Sequence, residues 1–258
     1  NVLWEPCTSA TIAREYRRVF NKYSDETVGN RDFCQWQGHD FSYRGMSGLE
    51  STCLSGSGHL VFFTGTDTVP AVIFLERYYN GVGLIGTSVV ATEHSTQTLA
   101  ILVNGKDLLR GELEQFKRLI TEVYPDGIVS IVCDSYDYWK VLTFIIPKLK
   151  YEILNRKGKV VVRPDSGDPV KIVCGDKDAE VGTPEYYGSV EMLYKTFGGP
   201  TTNMGYKSLD PHIGIIYGDS ITLSRQSEIL EGLKKKGFAS DIPVLGIGSF
   251  TYRYTTRD

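Results

Sequence analysis

The sequence predicts an α/β protein built on a parallel sheet, and three observations carry that prediction. From His59 onward short apolar runs recur, each closed by a polar cluster and usually followed by an amphipathic stretch; the runs are "LVFF", "LIGTSVVA", "IVSIVC", "VVV", "IGIIY" and "IPVLGI". They are continuously apolar rather than alternating, which suits strands covered on both faces. The stretches between them carry helical periodicity, so strands and helices alternate, as in either a barrel or a doubly wound sheet.

In chain order, "SATIAREYRRVFNKYSD" offers Ser9 as an N-cap and sets Ile12, Tyr16, Val19, Phe20 and Tyr23 at helical spacing, which predicts an opening amphipathic helix. The segment "GMSGLESTCLSGSGH" is rich in Gly and Ser but holds too many small apolar residues for a linker, so a helix packed closely on its neighbours is expected. The stretches "VPAVIFLERYY", "KDLLRGELEQFKRLITEVY", "YWKVLTFIIPKLKYEIL" and "ITLSRQSEILEGLKKKG" are predicted helices, the third with a kink at Pro147. Residues 172–211, rich in Gly, Thr and Tyr around a short helix "SVEMLYKTF", interrupt the repeat as an insertion or lid. With no linker in view, residues 1–258 are expected to form one domain.

The totals narrow the function. At 258 residues, 41% hydrophobic and 23% charged, with a formal net charge of −3, the chain lacks the basic excess of a nucleic-acid binder. No apolar run approaches the roughly 18 residues of a membrane span, and the opening "NVLWEPCTSA" lacks a signal pattern, which predicts a cytosolic protein. Five scattered cysteines, none in a Cys-x-x-Cys pair, are expected to be reduced thiols, mostly in the core. The missing initiator methionine and the ending "YRYTTRD" lead us to expect a piece of something longer.

In a parallel sheet every strand delivers its carboxyl end to one side, where such folds hold ligands. The polar clusters after the runs carry Asp67, Glu93, His94, Asp134, Asp137, Arg163, Asp165, Asp168 and Asp219, with turns at Gly218 and at Gly246, Gly248 and Ser249. Carboxylates without a set of histidines suit magnesium and the cis-diol of a ribose better than zinc. The turn "GIGS" is either a phosphate-binding backbone loop or simply a tight turn. His94, beside Glu93, is either a histidine satisfied at a strand end or a general acid/base or nucleophile toward phosphorus. Asp165 and Asp168 fit helix caps as well as ligands. Arg163, fixed behind three valines, suits a phosphate or pyrophosphate, with a salt bridge to a neighbouring carboxylate as the alternative. Asp134 in "DSYD" could equally cap a turn. Upstream, "HDFSYRG" supplies Phe41, Tyr43 and Arg44, a group that stacks on a flat heterocycle unless Phe41 is core packing.

Taken in order, "HDFSYRG", "GTDTV", "EHST", "DSYD", "RPDSG", "GD" and "TRD" closely resemble the nicotinate/nicotinamide phosphoribosyltransferase family, on its nicotinamide-using side, from about Trp4 to the last residue. The resemblance implies an irregular, TIM-like α/β barrel of a type II phosphoribosyltransferase, incomplete in this chain. It also implies a homodimer with a shared active site that makes nicotinamide mononucleotide and pyrophosphate from nicotinamide and phosphoribosyl pyrophosphate. Magnesium (Mg2+) is then the expected cofactor, and ATP an activating co-substrate that phosphorylates a histidine. By position, Phe41 would stack on the pyridine ring and Asp67 would accept from the nicotinamide amide. His94 would be phosphorylated, supported by Glu93. Arg44 and Arg163 would line the base and pyrophosphate region, and Asp165 and Asp219 would hold the ribose hydroxyls. Gly218, Gly248 and Ser249 would cradle the 5′-phosphate, Arg257 would reach the phosphates, and Asp134 would stand in the acidic surroundings.

Two departures stand out. Ser249 and Phe250 occupy positions where the family's phosphate loop carries glycines, and nothing in this chain matches the amino-terminal region that completes a neighbouring subunit's site. The isolated chain is therefore expected to bind ligands weakly or turn over poorly. The rival readings are a nicotinate phosphoribosyltransferase, which Asp67 disfavours, and a non-catalytic phosphosugar-binding remnant, which the retained Glu93–His94 pair disfavours.

Overall fold

A computed structural model describes residues 3–104 and 107–253. Seven strands occur among them: β1 (Gly38–Asp40), β2 (Gly65–Thr66), β3 (Val90–Ala91), β4 (Val129–Val132), β5 (Val160–Arg163), β6 (Ile213–Tyr217) and β7 (Pro243–Ile247). The chain divides into two compact units, one of residues 1–88, 202–206 and 218–258, the other of 89–201 and 207–217.

In the first unit β1 lies between β2 and β7, parallel to both, with His39 opposite Gly65 and Gly246. The long helix Trp4–Thr27 buries Ala13, Tyr16, Phe20 and Tyr23 on one face, as the spacing predicts. It begins before Ser9, however. Ser9 is not a cap but a buried interior residue, its hydroxyl 2.9 Å from that of Ser55 on the helix Leu49–His59. That second helix explains the Gly- and Ser-rich segment. A Cβ on Gly58 would stand 2.5 Å from the Pro6 carbonyl oxygen and 2.8 Å from the Ala10 nitrogen, so only a bare Cα lets the two helices approach this closely.

Two predicted strands of this region do not form as expected. "LVFF" is not a strand: Leu60 closes the helix, the amides of Phe62 and Phe63 turn back to the His59 carbonyl, and Phe63 packs edge-on to Phe20. The two-residue β2 follows it. The run "LIGTSVVA" yields only a bridge from Thr87 to Gly65 and, later, the exposed two-residue β3. Conversely β1, made of Gly, His and Asp, carries no apolar run that could announce it, yet all three residues are buried.

The second unit holds β3, β4, β5 and β6 in that order, all parallel, with Val129, Val160 and Ile213 in register. Ile131, Val160, Val162, Ile213 and Ile215 are almost wholly buried, which is why these runs are continuously apolar. The helices Leu108–Arg118 and Ser189–Phe197 form where the periodicity places them. The third predicted helix is broken into pieces around Pro147, with a π-helical turn at Val141–Ile145 before it; a proline there removes one amide from the helical ladder. Among the described residues the cysteines are free thiols, and all but Cys7 are buried.

Gly58→Ala should destabilise the protein by about 1–3 kcal/mol, the usual cost of overpacking a tight contact. Urea unfolding would read this as a lower midpoint at an unchanged slope; an unchanged midpoint would show that the interhelical contact yields freely.

Candidate functional site

The first unit contains a cavity of about 560 Å³ lined by Phe41, Arg44, Gly218, Asp219, Ser220, Thr222, Arg225, Gly248, Ser249 and Phe250, among others. Local sequence shapes it. Gly246 in β7 must lack a side chain because a Cβ there would fall 2.3 Å from the Phe41 ring and 2.8 Å from the Gly218 Cα. Gly45, ending the short turn Tyr43–Gly45 that carries Arg44, is pressed against the Ser249 side chain. Gly248 precedes the single helical turn Ser249–Tyr252.

Behind this cavity two rings and a carboxylate form a chain of contacts. The His39 ring lies 4.8 Å from that of Phe41, and its Nε2 donates to Asp67 Oδ1 at 2.8 Å. The Ser88 hydroxyl donates to the same oxygen at 2.5 Å. These two bonds orient Asp67, whose side chain is 49% exposed. His39 and Ser88 were not singled out from the sequence; the histidine directly before "DF" was the available signal. Beneath them His59 is fully buried and its basicity is lowered by that burial, so its Nδ1 accepts from the Tyr252 hydroxyl while Nε2–H donates to the Gly65 carbonyl at 2.9 Å.

The second unit gathers a different cluster, and Asp134 is its centre. Its side chain, 5% exposed, accepts from His94 Nε2 at 3.0 Å through one oxygen, and from the Asp165 amide at 3.0 Å and the Ser166 hydroxyl at 2.5 Å through the other. Because a carboxylate only accepts, the His94 Nε2 carries the proton, and in the neutral ring Nδ1 keeps its lone pair. The His94 side chain is 41% exposed. Asp134 therefore orients His94, where Glu93 was expected to. The Glu93 carboxylate instead caps the helix His94–Val103, held below the usual carboxylate range by the Ser95 hydroxyl and amide.

Asp137, not Asp134, caps the helical turn after "DSYD", and Asp168, not Asp165, caps the helix Pro169–Cys174. Arg163 adopts the salt-bridge alternative, with Nε 3.6 Å from Asp165 Oδ2 and Nη2 donating to the Thr92 carbonyl at 2.7 Å. The Tyr217 hydroxyl holds the loop from behind by donating to the Gly167 carbonyl at 3.0 Å. Arg257 lies outside the described residues. The sequence reading also passed over Ser220, Thr222 and Arg225, which line the cavity of the first unit.

Among the described residues no group of three or more His, Cys, Asp or Glu converges as a ligand set for a metal. A magnesium ion carried in on a phosphate would need only one or two carboxylates, for which the exposed Asp219 in the first-unit cavity has the right chemistry. No helix of the described residues is long and apolar enough to cross a membrane.

The profile of the Nicotinate phosphoribosyltransferase (NAPRTase) family matches residues 36–258. The nicotinamide phosphoribosyltransferase of Acinetobacter baylyi is 52% identical over 262 residues, covering 99% of this chain and 50% of the relative. Proteins of the same name from Mycoplasma pneumoniae and Xanthomonas campestris pv. campestris are 38% and 34% identical, again over 99% of this chain and 52% and 51% of their own lengths. The chain spans about half the length of the curated relatives it matches.

Glu112 gives this region a pH signature. Buried to 2% exposure on the helix Leu108–Arg118, its carboxyl is pushed from its ordinary 4.5 up to about 7, by desolvation first and by Asp137 second. The folded state then binds this proton more tightly than the unfolded chain, so the contribution of Glu112 to stability is fully present below about pH 4.5 and is lost as pH rises through about 7. The span corresponds to roughly 3 kcal/mol at most. Glu112→Gln should flatten that decline between pH 5 and 8 in thermal unfolding; an identical decline in the variant would assign it to other groups.

Proposed function

The chain belongs to the nicotinate phosphoribosyltransferase family, and from that premise we propose that it is the part of a nicotinamide phosphoribosyltransferase that binds nicotinamide and phosphoribosyl pyrophosphate and forms nicotinamide mononucleotide in NAD salvage. The observation that carries the reading is the cavity of the first unit, because Phe41, Arg44, Gly218, Asp219, Gly248 and Ser249, each assigned a substrate contact from the sequence, line it together. The names of the relatives favour the same substrate.

In the proposed reaction the pyridine nitrogen attacks the anomeric carbon of the sugar as the bond from that carbon to pyrophosphate oxygen breaks, its electron pair leaving with pyrophosphate. Positive charge develops on the sugar and negative charge on the leaving group, so arginines and carboxylates must be fixed in advance rather than recruited. Phe41 would hold the pyridine ring by stacking. Asp67, oriented by His39 and Ser88, would accept from the carboxamide N–H and repel the carboxylate of nicotinate. Asp219 and Asp165 would hold ribose hydroxyls, and Gly218, Gly248 and Ser249 the 5′-phosphate. Arg44, Arg163 and Arg257 would face the phosphates. Magnesium, when bound with Asp219 among its neighbours, would neutralise charge on the pyrophosphate. His94, with Nε2 engaged by Asp134, would present Nδ1 to the γ-phosphoryl group of ATP, which is the chemistry that couples ATP hydrolysis to turnover. A cytosolic setting, a homodimer, a barrel of the TIM-like type and an insertion or lid at 172–211 belong to the same proposal.

Offered phosphoribosyl pyrophosphate, magnesium and equal nicotinamide and nicotinate, the protein should yield nicotinamide mononucleotide as the product resolved by mass, however slowly. Asp67→Ser should shift the product ratio toward nicotinate by about tenfold, roughly 1.4 kcal/mol. The acid product from the unaltered protein would overturn the substrate assignment.

A further inference from the structure

The first-unit cavity contains a cation to which no role has been given. Arg225 lies in the first turn of the helix Leu223–Lys235, half-buried on the wall of the cavity that Gly218, Gly248 and Ser249 also line. Its Nη1 donates to the Ser220 carbonyl at 2.7 Å, and its own amide donates to the Thr222 hydroxyl that caps the helix. Ser220 stands at φ 56°, in the left-handed region that side chains rarely adopt; this is the conformation in which its carbonyl meets the guanidinium.

Two features separate Arg225 from Arg163, the arginine that ends β5. Arg163 is neutralised by Asp165 within 4 Å, whereas among the described residues no carboxylate comes within ion-pair distance of Arg225. Its tether is a neutral carbonyl, which fixes the fork without cancelling its charge, and a guanidinium has five donors of which the tether uses one. The exposed carboxylate that shares the cavity, Asp219, instead accepts from the Ser220 hydroxyl at 2.7 Å. The same strained residue thus holds a cation through its carbonyl and a carboxylate through its side chain.

We propose that Arg225 is a further phosphate-binding residue of this cavity, its anchored guanidinium taking the 5′-phosphate dianion of a phosphorylated ribose. The inference rests on the phosphoribosyl reading and adds to it a residue that the sequence motifs do not mark. It also gives the cavity a fixed cation where Ser249 and Phe250 stand in place of family glycines, so part of the phosphate affinity passes from backbone amides to a side chain.

The test is calorimetric titration of the full chain with ribose 5-phosphate, and separately with inorganic phosphate, for the unaltered protein, Arg225→Lys and Arg225→Gln, with thermal unfolding of each. Ribose 5-phosphate should bind the unaltered protein, about tenfold or more weaker to Arg225→Gln and intermediately to Arg225→Lys, at closely similar melting temperatures. If Arg225→Gln fails to fold, Arg225→Lys decides by the same comparison. Equal affinity in all three proteins would overturn the inference and leave the phosphoribosyl reading standing; no binding by the unaltered protein would overturn both. Inorganic phosphate binding as tightly as ribose 5-phosphate would overturn the sugar-phosphate assignment.

Discussion

The Asp134 carboxylate is the interaction on which the second unit's chemistry depends. It stands where β4 ends and accepts from groups that follow β3 and β5, so three neighbouring strand ends are fixed by one nearly buried anion. A carboxylate taken out of water is tolerated only when its lone pairs are met by donors. Here an imidazole, an amide and a hydroxyl meet them, and the same bonds set the tautomer of His94 and the course of the Asp165–Ser166 turn. The parallel strands place these residues side by side, and the hydrogen bonds turn that proximity into a fixed geometry.

In the first unit the organising constraint is absence of side chains. Gly58 lets two helices approach, Gly246 makes room for the Phe41 ring, and Gly45 admits Ser249. Each is a position where a methyl group would collide with a neighbour, so the cavity wall and its backing are set by steric exclusion. Into that wall the fold then places charge at few points: Arg44, Asp219 and Arg225. A cavity with both signs of charge, an aromatic ring and a helical turn capped by glycine suits a ligand with a phosphate, a diol and a flat ring better than it suits an apolar molecule.

Much of this was legible in the sequence, for identifiable reasons. The strands β4 to β7 announce themselves because burial on both faces demands continuous apolar runs. β1 was invisible because its three buried residues are Gly, His and Asp, whose burial is settled by partners distant in the chain. "LVFF" misled because a buried Phe63 at a helix end looks locally like a strand. Among the candidate site residues, proximity in sequence suggests Glu93 as the support of His94, whereas the carboxylate that bonds its ring is Asp134, forty residues away; of the two cap candidates Asp165 and Asp168, it is Asp168 that caps the helix. Arg225 escaped notice because it sits in an amphipathic helix where an arginine usually faces solvent.

The proposed transfer of a phosphoribosyl group to nicotinamide is measured most directly by phosphorus NMR of phosphoribosyl pyrophosphate incubated with the protein and magnesium. Adding nicotinamide should start pyrophosphate release in step with formation of nicotinamide mononucleotide. Decay of phosphoribosyl pyrophosphate at the same rate with and without nicotinamide would contradict it.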